Sequence, residues 1–399
     1  MRILMLTPYL PFPPASGGQI RTLNLLKYLS KSNEITLVAL YKNEQEKQYA
    51  AQLKSFCKDI YVCKRPEKPW QLGNIMKSVF TFLPFLIVRN YSHEAQEVVE
   101  RLLREEEFDA IHAETFYIMP HIPETKVPIM LVEQTIEFKV YQHFVSSLPF
   151  FLRWALSIDI IKLKFWEIFY WKKASLVAAV SQSDAGIIRS FIHKNTPVVV
   201  IPNGAGDEMF VDRLPKKDIL KPNLLFVGNF SWLQNTEAVH YLLKIFPRLK
   251  EANPEIRLTI AGQNMSHKLD STPREGVEFF DIKPDDDSTI KNLYGSATLF
   301  VAPIYGPGGT RLKILAAMAA GLPIVSSKTG VEGLEVEDGT HVLVANDEKA
   351  FVDAITRVLK DKELYERLRK HSFSLVRELY SWKAIAAKLE VYYKNVSPQ

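Results

Sequence analysis

Cysteine is scarce in this chain of 399 residues: there are two, Cys57 and Cys63. Two thiols build neither a disulfide framework nor a zinc site, and their scarcity predicts a reducing compartment. Long hydrophobic runs are missing as well. No stretch supplies the about 18 uncharged apolar residues that a membrane-spanning helix needs. The opening MRILMLTPYLPF reaches Pro8 and Pro11 too soon to act as a secretory signal. These absences predict a cytoplasmic protein. Net charge is small, with 50 Lys and Arg against 45 Asp and Glu for a balance of +5. Charge therefore gives no reason to expect a nucleic-acid partner. The dinucleotide fingerprint GxGxxG follows none of the strand-like runs, no metal site is indicated, and neither an internal repeat nor a low-complexity segment is visible.

What is present is ordinary globular material, 47% apolar and 24% charged, which rules out a disordered or collagen-like chain. The length suits two domains at roughly 100–200 residues each. Short apolar runs alternate with longer helical stretches, the pattern of α/β proteins with parallel sheets. In the first half, residues 2–7, 34–39, 110–113, 128–132, 176–181 and 198–202 read as buried strands, with helices over 21–30 and 93–105. The pattern restarts with strands over 223–228, 257–262, 298–303, 323–327 and 341–344 and helices over 237–251, 311–320 and 348–360. Between the halves, residues 207–222 contain LPKKDILKP and no strong periodicity, so the domain linker is expected there.

Residues 146–171, SSLPFFLRWALSIDIIKLKFWEIFYW, are dense in aromatics, and 153–173 carry five cations against Asp159 and Glu167. Two readings follow. A basic, aromatic, amphipathic helix lies on an anionic membrane surface; alternatively, a long helix packs its aromatic face into the first domain. The apolar run 79–88, broken by Pro84, is open to the same two readings.

Two loops have the composition to hold a ligand. The first strand leads into PYLPFPPASGGQIRT, where Gly17 and Gly18 precede a helix. Glycines let the backbone approach a ligand and the helix N-terminus favours an anion, although any tight strand-to-helix turn also wants glycine. The second is FVAPIYGPGGTRLKILAAMAAG at 300–321. A strand ends, Gly308, Gly309 and Thr310 turn the chain, and a helix begins with its free N–H groups converging on one point, a phosphate cradle. Arg311 and Lys313 fall in the first turn, where cations oppose the helix dipole. A bound diphosphate explains them; two solvated surface cations are the alternative.

PNG at 202–204, FVGNFSWLQNTEAV at 226–239, GGTRLKILAAMAAGLPIV at 308–325, SGGxxRT at 16–22, VSxSD at 180–184 and TGVEGL at 329–334 stand in one order and spacing. In that order and spacing the chain resembles the retaining GT-B glycosyltransferases of family 4, within the subgroup whose donor loop is of the GGTRLKIL type. The resemblance implies an α/β protein of two Rossmann-like domains facing across a cleft. Residues 1–206 would bind the acceptor, 207–222 would link, 223–379 would bind the nucleotide-sugar, and 380–399 would form a helix crossing back to the first domain. It implies transfer of a hexose from a nucleoside diphosphate sugar to a glycan or lipid-linked acceptor, with retention at the anomeric carbon. Neither a cofactor nor a metal is expected, because basic side chains and helix ends stabilise the leaving diphosphate. The protein would be cytoplasmic, and peripheral at the inner face of the plasma membrane if 146–171 is interfacial.

The resemblance also places residues. Gly228 and Asn229 open the stretch after the first strand of the second domain, where many members carry an Arg and a Lys that this chain lacks. Arg311 and Lys313 take over the diphosphate, with Gly308, Gly309 and Thr310 on one side and Gly17 and Gly18 on the other. The family's E-x7-E pair falls on Gly308 and Ala316, and Ala316 replaces the glutamate that grips the ribose hydroxyls. In LVEQTIEFKVY at 131–141, Gln134 stands where the family has a histidine near the transferred sugar. Glutamine can donate a hydrogen bond but cannot act as a base, so the departing phosphate would itself accept the acceptor's proton. Glu133 and Glu137 are expected as polar groups near the cleft, and His112 at a strand end. The Ala316 and Gln134 replacements keep two other readings open: a sugar-nucleotide-binding protein without catalysis, and a non-transferring GT-B enzyme such as an epimerase.

Overall fold

The computed structural model describes the chain except for residues 69, 147, 193–195, 266–268, 270–273, 284–285, 307–311 and 397–399. It divides into two compact units, one of Met1–Pro202 with Ile385–Gln399 and one of Asn203–Ala384.

The first unit is wound on a parallel sheet of β1 (Arg2–Thr7), β2 (Glu34–Tyr41), β3 (Asp59–Lys64), β4 (Ala110–Glu114), β5 (Ile129–Glu133), β6 (Leu176–Ala179) and β7 (Val198–Val200). The spatial order is β3-β2-β1-β4-β5-β6-β7. Central strands such as β1 and β4 are buried on both faces, which is why they read as continuous apolar runs. Leu4 lies in register with Thr36 on one side and Ile111 on the other. The Gly17–Leu29 helix follows β1; Ser16 caps it by accepting from the Gln19 amide, and Arg21, Leu25 and Leu29 recur at helical spacing on its buried face.

The second unit repeats the plan with β8 (Asn223–Asn229), β9 (Arg257–Gln263), β10 (Val277–Asp281), β11 (Leu299–Ala302), β12 (Ile324–Ser326) and β13 (Leu343–Val344), ordered β10-β9-β8-β11-β12-β13 and parallel throughout. The helices Leu233–Ala252, Leu312–Ala319 and Glu348–Lys360 cover it. Both units are thus doubly wound, Rossmann-like α/β bodies, and together they make a GT-B fold.

Three features differ from the sequence expectation or extend it. Strands β3 and β10 were not anticipated; both are sheet edges, and their half-exposed sequences DIYVCK and VEFFD break the apolar run. Residues 207–222, expected as the linker, lie inside the second unit. Met209 is in its core, the Val211 amide donates to Ala319 O at 3.2 Å, and Arg369 Nη2 donates to Pro215 O at 2.6 Å. These ties run through backbone polar groups, which leave no hydrophobic period to read. Finally, the Trp382–Val396 helix leaves the second unit and completes the first. Ile385, Leu389 and Tyr393, one helical turn apart, are buried, and Asn33 Nδ2 donates to Glu390 Oε1 at 3.0 Å.

Candidate functional site

In an open parallel sheet, ligands bind beyond the C-terminal ends of the strands where the winding direction reverses. In the second unit that point lies between β8 and β11. Strand β8 ends in Gly228-Asn229, beside Gly262 of β9. Gly262 has φ +148°, and a Cβ there would stand 1.6 Å from the Gly228 carbonyl oxygen, so no other residue fits. Asn235, in the first turn of the Leu233–Ala252 helix, donates from Nδ2 to Asn229 O at 2.7 Å. Its Oδ1 accepts from Lys313 Nζ, which also sits 4.8 Å from the centroid of the Phe226 ring. The side chain of Asn229 accepts from the Ser231 amide at 3.0 Å and from Asn264 Nδ2 at 3.1 Å, fixing the turn after the strand. A cation, two amide side chains and a bare strand end therefore converge at the reversal point.

In the first unit the reversal lies between β1 and β4. Glu114, the last residue of β4, is fully buried together with His112 and Arg21. Its Oε1 lies 2.9 Å from His112 Nε2 and 3.8 Å from Arg21 Nε, and its Oε2 accepts from Gln134 Nε2 at 2.5 Å. His112 Nδ1 is hydrogen-bonded to the Tyr393 hydroxyl. Gln134 Nε2 also donates to Tyr9 OH at 2.8 Å, and Tyr9 OH is 3.2 Å from Thr22 Oγ1. Burial alone would raise the Glu114 carboxyl, but hydrogen bonds from His112 and Gln134 and the charges of His112 and Arg21 outweigh it and hold the group below its ordinary range. Burial, reinforced by the Glu114 charge, pushes the Tyr9 phenol well up. The result is an ionised carboxylate beneath a neutral amide and phenol at the strand ends.

The comparisons with known proteins agree with this architecture. A family model described as Glycosyltransferase Family 4 matches residues 15–208, and one described as Glycosyl transferases group 1 matches residues 221–361. An uncharacterized 44.6 kDa protein in the cps region of Klebsiella pneumoniae is 23% identical, over 97% of this chain and 98% of that protein. A phosphatidyl-myo-inositol mannosyltransferase of Mycobacterium leprae is 27% identical, over 50% of this chain and 54% of its own length. Among solved structures, Anabaena HepE in complex with UDP-glucose superposes with a TM-score of 0.68 at 14% identity, covering 99% of this chain and 100% of that one. The chain is a GT-B glycosyltransferase.

In this glycosyltransferase the residues singled out from sequence divide into four groups. Lys313, Gly228 and Asn229 come together at the second unit's reversal point, and Ala316, three residues beyond Lys313 and half-buried, lies on the same helix face. Gly308, Gly309, Thr310 and Arg311 lie outside the described residues. Gln134 and Gly18 meet in the first unit: a Cβ on Gly18 would stand 2.6 Å from Tyr9 OH and 2.7 Å from Gln134 Oε1. Gly17 opens the helix beside them and is exposed. His112 has both ring nitrogens hydrogen-bonded within the unit. Glu133, expected as a polar group near the cleft, is 1% exposed at the end of β5 and accepts from Trp171 Nε1 at 2.8 Å. Tyr9, Arg21, Glu114 and Asn235 join the two clusters without having been anticipated. Glu114 had a legible signal, a carboxylate two residues after His112 at the end of an apolar run, because a charge there demands partners.

Proposed function

We propose that this glycosyltransferase moves a hexose from a nucleoside diphosphate sugar to a glycan or lipid-linked acceptor, with retention of anomeric configuration. The observation that carries the reading is Lys313 held beside Asn235 and the Gly228-Asn229 strand end, at the place where an open α/β sheet receives a phosphorylated ligand. Lys313 stabilises the negative charge that builds on the leaving diphosphate, and Arg311, two residues earlier, adds a second cation. Gly308, Gly309 and Thr310 supply backbone N–H groups to the same phosphates.

The first unit serves the acceptor in this reading. The carboxylate of Glu114 accepts only, so the amide nitrogen of Gln134 must face it, and both N–H groups are spent on Glu114 and Tyr9. Gln134 thus offers Oε1, an acceptor, to a sugar hydroxyl. Gln134 cannot remove a proton, which leaves the departing phosphate to take the proton of the acceptor hydroxyl. The UDP-glucose seated in the HepE neighbour makes UDP-sugars the first donors to try, and the mannosyltransferase relative supports a lipid-linked acceptor.

The test has two arms. A thermal-shift screen against UDP-, GDP-, ADP- and TDP-sugars identifies the donor, since a ligand at about a hundred times its dissociation constant stabilises by about 2.7 kcal/mol. Nucleoside diphosphate release is then followed with and without acceptor lipid or glycan. Release that depends on acceptor is the expected result. Binding without release overturns transfer in favour of a binding protein, and conversion of the donor sugar without release overturns it in favour of an epimerase.

A further inference from the structure

The first unit carries an exposed apolar face built from two chain segments. On the Phe150–Lys173 helix, Trp154, Ile158, Ile161, Phe165 and Phe169 follow one another at three- and four-residue spacing and are exposed, Trp154 by 72% and Ile161 by 66%. The opposite face of the helix buries Ile160, Leu163, Tyr170 and Trp171. A stripe from 154 to 169 extends about 22 Å at 1.5 Å per residue. The Leu72–Phe80 helix adds Leu72, Met76, Val79 and Phe80, the last 76% exposed.

Polar groups lock the second segment to the first. Asp159 Oδ1 accepts from Ser78 Oγ at 3.1 Å and from the Phe85 amide at 2.9 Å, and the buried Lys162 donates to Ser78 O at 2.6 Å and Thr81 O at 3.0 Å. Trp166 Nε1 donates to Phe82 O at 2.7 Å, and the Phe82 and Phe165 rings meet edge to face at 5.0 Å. The face is therefore fixed before any partner arrives.

Its charge is one-sided. The two acids of the long helix point inward: Asp159 is tied as above, and the fully buried Glu167 accepts from the Glu137 and Phe138 amides. The exposed charges of the two helices are all positive, namely Lys77, Arg153, Lys172 and Lys173. An apolar, aromatic stripe on helices whose own exposed charges are all cations matches an interface of acyl chains beneath anionic headgroups. We infer that this two-segment face docks the protein on an anionic phospholipid surface, with the 154–169 stripe and the Leu72–Phe80 helix entering the interface side by side.

Sedimentation with phosphatidylcholine vesicles, with and without phosphatidylglycerol, tests this using the full chain and needs neither donor nor acceptor. A failure here leaves the transferase reading standing, and the reverse also holds. Binding should require phosphatidylglycerol, fall as salt rises, and weaken about fivefold for each of Lys172→Gln and Lys173→Gln. Phe80→Ser and Ile161→Ser should each weaken it at least tenfold with the melting temperature unchanged, because both side chains already lie in solvent. Vesicles should shift tryptophan emission to the blue, and Trp154→Phe should remove most of that shift. Equal sedimentation with both vesicle types, or no blue shift, overturns the inference. A concentration-dependent dimer that Ile161→Ser disperses overturns it in favour of a second copy as the occupant.

Discussion

Lys313 belongs to the first turn of a helix, where the dipole disfavours a cation, and it is held there by Asn235 and the Phe226 ring. A charge-assisted contact to a bound phosphate is worth about 1.5–3 kcal/mol. Lys313→Ala, and separately Arg311→Ala, should each raise the dissociation constant of the nucleoside diphosphate roughly tenfold or more, measured by calorimetric titration. An unchanged constant would make either residue an ordinary surface cation. Three residues on from Lys313, Ala316 presents a methyl group where the resemblance implies a glutamate on the ribose hydroxyls. Ala316→Glu should strengthen nucleotide binding roughly thirtyfold or more, from about 2–4 kcal/mol of charged hydrogen bonds. The gain should vanish with a 2′,3′-dideoxy nucleotide, which separates ribose recognition from a new pair with Lys313. Residues like these were legible because glycine and cations are anomalous at a helix start. Tyr9 and Asn235 were not, since a tyrosine in a loop and an asparagine in a first turn are unremarkable until the fold brings them to a strand end.

At the scale of the element, the Glu137–Ser146 helix is capped from outside itself: Glu167 Oε1 accepts from the Glu137 amide at 2.8 Å and Oε2 from the Phe138 amide at 3.0 Å. Burial pushes the Glu137 carboxyl from 4.5 up to about 7, against a smaller opposing pull from Arg89, and burial likewise raises Glu133 and Glu167. Between 4.5 and about 7 the folded chain keeps a proton on Glu137 that the unfolded chain has released, so stability falls as the pH rises through that window. Glu114, whose carboxyl is held low, acts in the opposite sense and loses its contribution as the pH falls. Melting temperature against pH should drop less steeply across the window in Glu137→Gln than in the parent, and matching slopes would show that the carboxyl titrates normally. The same scale explains what the amino-acid pattern revealed. Strands with two buried faces, such as β1, β4, β8 and β11, announced themselves as unbroken apolar runs. The edge strands β3 and β10 are only partly buried and did not.

At the scale of the whole molecule, the second unit is an insertion: the chain leaves the first unit after Pro202 and returns to it at Ile385. Just inside the second unit, the Ala205 amide donates to Tyr380 O at 2.8 Å, and Ala205 bridges to Ser381, so the outgoing and returning strands are clipped together. Ile385, Leu389 and Tyr393 are each at most 1% exposed. Burying large apolar side chains contributes about 1.5–3 kcal/mol apiece, and losing three of them approaches the entire stability of a unit, about 5–15 kcal/mol. A chain ending at Ala384 should therefore be digested within residues 1–202 while 203–384 resists, as limited proteolysis with mass spectrometry would show. Equal resistance of both units would mean that the returning helix is dispensable.

The return of the chain also sets an order of events during synthesis. The first sheet leaves the ribosome complete at Val200, yet His112 must wait for its Tyr393 hydroxyl partner until the intervening unit has been made. At ~5–20 residues per second that wait lasts roughly 10–40 s. During it the second unit, whose sheet and covering helices are contiguous in sequence, can close first. The first unit meanwhile keeps open the groove that residues 385–396 will fill. The unit translated first is thus the one finished last, and a nascent chain stalled within the second unit would present a chaperone with the unfilled core of the first.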